Sequence, residues 1–135
     1  MTNFIDSKLG IYPQALMLHE KRVELISGNL AHENTPGFKA KDIDFREALR
    51  DITDKIAMKN NGTSASDTQK IDVRASMLNH TKYREVSQPS QDGNTVDGKV
   101  EHAAFAENSV RYLSALNILN ERVKNLMLAI KGSNS

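Results

Sequence analysis

Apolar residues recur at alternating spacings of four and three at both ends of this chain, and that pattern restricts what it can fold into. At the N-terminal end the series is Tyr12, Leu16, His19, Val23, Ile26 and Leu30, with Ala15, Leu18 and Leu25 as a second strip beside it. At the C-terminal end Phe105, Tyr112, Leu116, Leu119, Val123, Leu126 and Ile130 repeat the spacing, widened by Val110, Leu113 and Met127. Such a heptad seam is how helices pack side by side. It predicts one helix from about Pro13 to Glu33 and another from about Thr95 to Lys131. At 1.5 Å per residue they measure roughly 30 Å and roughly 50 Å. The shorter arm leaves part of the longer seam uncovered, so sister molecules are the expected cover. The predicted fold is mainly α: two long terminal helices paired as a coiled-coil hairpin, a short middle helix, and a loop-rich insert with room for a small β-hairpin. Residues 1–34 and 93–132 then form one discontinuous axial unit, and residues 35–92 a middle segment.

The first helix has a visible end. Thr35 precedes Pro36 and is pushed out of the helical region, Asn34 suits a terminator, and Pro36-Gly37 fits the centre of a type II turn before Phe38. A helix from about Phe45 to Met58 follows, with Asp44 and Glu47 in capping-box positions and Phe45, Ala48, Leu49, Ile52 and Ile56 on one face. Lys59 to Lys70 is polar and reads as a mobile loop. Between Ile71 and Val86, Ile71 and Val73 alternate with charged neighbours, which predicts one or two short strands. Gln88 to Gly93 is a turn cluster, and Asn94 reads as the cap of the last helix, with Asp97 near its positive end and Gly98 weakening its first turns.

Composition narrows the function. The 135 residues carry a formal net charge of +1 with no long basic run, which argues against nucleic-acid binding. There is no cysteine, hence no thiolate metal site, Cys nucleophile or disulfide. Hydrophobic residues make up 39% and aromatics 5%, little for a compact enzyme core with a pocket. The first eleven residues lack the pattern of a cleavable signal, and no apolar run reaches membrane-spanning length. His19, His32, His80 and His102 show no paired helical spacing and read as scattered surface residues, not metal ligands. Asp92-Gly93-Asn94 with Glu101 looks superficially like a calcium loop, but Val96 and Asp97 stand where that loop needs a ligand and a glycine. Asp42/Asp44 and Asp51/Asp54 read as solvated charge. No catalytic, cofactor-binding or metal-binding residue is expected.

Two segments carry a resemblance. Asn29-Leu30-Ala31, then Asn34-Thr35-Pro36-Gly37-Phe38 at the end of the first helix, resembles the signature of flagellar rod and hook proteins; His32 stands where that signature commonly has Asn. Lys39 to Phe45 and the run Gln88 to Asp97 (Asp92, Gly93, Asn94, Thr95, Val96 and Asp97 at its core), then Glu101 and Asn108, are similar to the proximal-rod branch of that family. The resemblance implies a structural subunit of the basal-body rod that polymerises through its terminal helices, transmits torque, and is exported unfolded without a cleaved signal into the periplasm. It implies as partners further copies, other rod subunits, the adaptor protein at the rod base and the membrane ring. Assembly is expected to use Leu16, Val23, Ile26, Leu30, Tyr112, Leu116, Leu119, Val123, Leu126 and Ile130. A cytoplasmic coiled-coil adaptor or export chaperone, or a sibling rod subunit, is the competing expectation.

Overall fold

A computed structural model describes residues 2–60, 72–86 and 88–132. The chain runs through α1 (Thr2–Leu9), α2 (Tyr12–Ala31), β1 (Lys41–Ile43), α3 (Phe45–Asn60), α4 (Val73–Asn79), β2 (Thr81–Tyr83) and α5 (Gly98–Gly132). Most of the expected mobile stretch, Lys59 to Lys70, lies outside the described residues.

The two long helices pack against each other in opposite directions. Tyr12 at the start of α2 lies under the Arg122 guanidinium, His19 meets Asn108, and Asn29 near the end of α2 meets Glu101 near the start of α5. α2 starts with Pro13 in its first turn, where the missing N–H costs nothing. The turn at Gly10, with φ of 66°, separates it from α1, which the seam pattern does not foretell. α1 lies along α5 beyond the start of α2, and Arg122 donates to the Lys8 carbonyl at 3.0 Å. It thereby covers part of the longer arm.

The middle segment packs on α2 as a small head. Leu18 of α2 shares one buried cluster with Ile43, Ala48, Ile52, Val73 and Met77, flanked by Ile11, Leu25, Phe45, Leu49 and Ile56. Asp44 caps α3 as expected, accepting from the Glu47 N–H at 3.2 Å. Glu47 does not complete the reciprocal box; its carboxylate holds Lys82 at 2.9 Å, while the Asp44 N–H bonds the His80 carbonyl.

The Ile71 to Val86 reading needs a correction in part. Val73 to Asn79 is a helix, capped by Asp72 accepting from Ala75 N–H at 3.1 Å. Val73, Ser76 and Met77 are buried at helical spacing, and this outweighs the short alternation at its start. Among the described residues of this stretch the strand is β2, which pairs antiparallel with β1, with Lys41 opposite Tyr83 and Ile43 opposite Thr81. The two strands are therefore joined through α3 and α4 and not by a tight hairpin turn.

The start of α5 also differs from expectation. Asp97 is the cap, accepting from Lys99 N–H at 3.0 Å and Val100 N–H at 3.4 Å. Gly98 sits in the first turn, where it costs less than in a helix interior. Asn94 does something else.

Candidate functional site: the keyed helix pair and its corner

The turn after α2 and the segment before α5 form one interlocked unit. The Asn94 side-chain amide donates to the carbonyls of His32, Glu33 and Thr35 at 3.0, 2.7 and 2.9 Å. These carbonyls belong to the turn that follows α2, and a residue some sixty positions further on supplies their donor. The Asn94 oxygen accepts from Val96 N–H, and Asp92 accepts from Asn94 N–H, so the amide is held in position. Gly37 N–H bonds the Asp92 carbonyl, Thr95 N–H bonds the Phe38 carbonyl, and Ala40 N–H bonds the Thr95 hydroxyl. Lys39 reaches the Gly93 carbonyl. Phe38 stacks on His32 with ring centres 4.4 Å apart.

Gly37 adopts φ of 73°, and a Cβ added to Gly93 would lie 3.7 Å from the Gly37 Cα. Backbone meets backbone here. Gly37→Ala would find open space for its methyl group, so its cost is the left-handed backbone alone. We expect about 1–2 kcal/mol of lost stability by urea unfolding. No loss would mean that the corner can relax.

Below the corner, the α2–α5 seam holds polar groups where apolar ones are the norm. Glu101, Asn108 and Ala115 are the buried residues of α5, seven positions apart. Asn29 Nδ2 donates to Glu101 Oε2 at 3.2 Å and to the Lys41 carbonyl at 2.8 Å, and its oxygen accepts from Lys41 N–H. Asn29 thereby ties α2, β1 and α5 together. The other Glu101 oxygen faces Arg84 Nη1 at 2.9 Å, off the line of a hydrogen bond. Arg84 also pairs with Asp42 at 2.7 Å, and Asp42 receives Arg22 at 3.0 Å. Burial, opposed by the Asn29 amide and by Arg84, pushes the Glu101 carboxyl above its ordinary range.

No protein-family model matches the chain. Curated relatives do. The flagellar basal body rod protein FlgB of Cereibacter sphaeroides is 40% identical over 132 residues, covering 98% of this chain and 99% of its own. The FlgB protein of Aeromonas hydrophila is 35% identical over 128 residues, covering 94% and 95%. That of Escherichia coli K12 is 34% identical over 141 residues, covering 99% and 100%. The chain belongs to the FlgB family of flagellar basal body rod proteins.

In this FlgB-family chain the two signature segments are neighbours in space. Thr35, Gly37 and Phe38 of the first meet Asp92, Gly93, Asn94 and Thr95 of the second, Asn29 reaches Glu101 just beyond it, and Asn34 and Pro36 are exposed. Val96 and Asp97 lead directly into α5. A cleft of about 510 Å³ opens beside this unit, lined largely by polar and charged groups, among them Glu33, Arg84, Glu85, Asp92, Asp97 and Lys99. Pro89, Val96 and Val100 supply its apolar part.

The seam residues divide by depth. Ile26 is fully buried; Leu16, Val23, Leu30, Tyr112, Leu116, Leu119, Val123 and Leu126 are half-buried; Ile130 is exposed. Beside them on α5, Val110, Leu113, Met127 and Leu128 are 65, 56, 58 and 67% exposed. One expectation is corrected: His19 is not a surface histidine but only 4% exposed, stacked on Phe45 at 4.3 Å between ring centres. Among the described residues no group of His, Asp and Glu could hold a metal ion, and no helix is long and apolar enough to cross a membrane. FlgB-family chains are structural and non-catalytic, and so is this one.

Proposed function

We propose that this chain is a subunit of the periplasmic flagellar basal-body rod, polymerising through its terminal helices and carrying torque by side-by-side helix packing. The observation that carries the reading is the full-length relationship to FlgB proteins joined to an apolar strip on α5 that the chain's own fold leaves open. Exposed apolar patches on a helix of this length suit association with like helices. Within the reading, residues 1–34 with 93–132 form the axial unit, and residues 35–92 form an outward head that sets position in the stack. The half-buried seam from Leu16 to Leu30 and from Tyr112 to Leu126 first holds the subunit together. Its outer edge, with Ile130, then meets neighbours. The finer partners are other rod subunits, the rod-base adaptor and the membrane ring, reached by export without a cleaved signal.

The test uses exposed positions so that folding is spared. Leu113→Asp with Leu128→Asp should leave helical content and urea midpoint nearly unchanged, because both side chains are mostly in solvent. In a strain whose own copy is deleted, that variant should fail to restore swarming and should be missing from purified basal bodies. Normal swarming would overturn the proposal. Recovery of the natural chain only from cytoplasm would favour the adaptor reading instead.

A further inference from the structure

The pairing of α2 with α5 contains a titratable group that has no obvious need to be there. His19 lies inside the seam, with its Nδ1 2.8 Å from Asn108 Oδ1. The Asn108 amide nitrogen donates to the His19 carbonyl at 3.0 Å, which fixes which end of the amide faces the ring. Oδ1 can only accept, so Nδ1 carries the proton and the neutral ring leaves Nε2 as the site for a second one. Among the hydrogen bonds of the described residues none reaches Nε2. The Phe45 ring of α3 covers one face.

We propose that His19 makes the terminal helix pair an acid-released catch: the neutral ring closes α2 onto α5, and an imidazolium at this position opens it. The charged groups around the ring favour the neutral form. Arg22 approaches from its own helix and Arg111 from α5. Each is already held by a carboxylate, Arg22 by Asp42 and Arg111 by Glu107, so neither carboxylate is left to stabilise a charged His19. α3 offers the face of Phe45, whose attraction for a cation is weak beside the cost of burying one. In keeping with this geometry, burial, opposed by the Asn108 hydrogen bond and reinforced by the two arginines, lowers the affinity of the ring for a proton below the ordinary histidine value of 6.5.

The sign follows from linkage. Above pH 6.5 the ring is neutral in both folded and unfolded chains, and the catch holds fully. As pH falls below 6.5 the unfolded chain binds a proton that the folded chain refuses, so stability declines. One such proton changes the folded-to-unfolded ratio by up to tenfold per pH unit. This holds for the chain itself, independent of the rod reading.

Two measurements on the full chain decide it. Ring NMR of the natural protein should show His19 titrating below 6.5 in the folded state, or unfolding before it titrates. Urea unfolding at pH 7.5 and 5.5 should show a larger fall in folding equilibrium constant for the natural chain than for His19→Gln, by up to about tenfold. His32, His80 and His102 are present in both proteins and cancel in the difference. Equal pH dependence in the two proteins, or a folded His19 titrating at or above 6.5, would overturn the proposal. If His19→Gln does not fold, the ring titration of the natural chain decides alone.

Discussion

Replacing Arg84 with methionine is expected to destabilise the folded chain by ~3–5 kcal/mol at neutral pH, the usual effect of stranding one partner of a buried pair. Glu101 is wholly buried, and Arg84 is the cation that faces it at ion-pair distance. Methionine keeps much of the arginine stem's packing, so the loss would report charge. It should also depend on pH. Without Arg84 the folded carboxyl is pushed further above its already raised value, so the folded state holds a proton that the unfolded chain gives up above about pH 4.5. The penalty is therefore small near pH 4.5 and grows toward pH 7. Adding Glu101→Gln to the same chain removes the buried charge while keeping a group for Asn29 to bond, and should recover most of the loss. A urea series on the two variants at pH 5 and pH 7 measures this. A penalty independent of pH, with no recovery in the double variant, would show that Arg84 acts through packing or through Asp42.

The same cluster shows where reading from sequence stops. The long helices are legible because a spacing of four and three over several turns overrides local preference, and α3 is legible because Asp44 announces it. The keys inside the seam are harder to see. Glu101, Asn108 and Ala115 are spaced by seven, in step with Tyr112, Leu119 and Leu126, so the signal was present in the register. Glu101 and Asn108 enter the sequence reading only through the family motif, because a search for apolar periodicity passes over polar side chains. His19 fell within the apolar series itself, yet judged by its chemistry it read as a surface residue. A polar residue on a heptad core position is better read as a register key, which trades some stability for a defined alignment.

The head was less legible for a different reason. A three-residue strand such as Lys41 to Ile43 has no periodicity to detect, and its partner arrives after two helices. Its existence depends on Asn29 bonding both polar groups of Lys41 and on Arg84 N–H bonding the Ala40 carbonyl. Those are tertiary facts. The resemblance to rod proteins drew on motif identity and so reached the family without passing through this geometry. The geometry in turn gives a physical reason for the two signatures to occur together: each supplies the groups that the other lacks.

Asn94 tests that last point most directly. Its position just before a helix suggests a local cap, but its amide serves the turn that follows α2. Asn94→Asp keeps the shape and keeps an oxygen for Val96 N–H, while replacing the donating NH₂ with a carboxylate oxygen facing three carbonyls. Each hydrogen bond lost removes about 0.5–1.5 kcal/mol, and the carboxylate's repulsion from the carbonyls adds to it. A destabilisation of about 3 kcal/mol at pH 7 is expected. Hydrogen exchange should quicken first at Gly37, Ala40 and Thr95, whose N–H groups bond across the corner, ahead of the middle of α2. Below about pH 4 the new carboxyl gains a proton it can donate, so part of the loss should return relative to the natural chain at the same pH. If Asn94→Asp is neutral in stability and exchange at the corner is unchanged, water serves those carbonyls equally well. The two signatures would then need another reason to stand together.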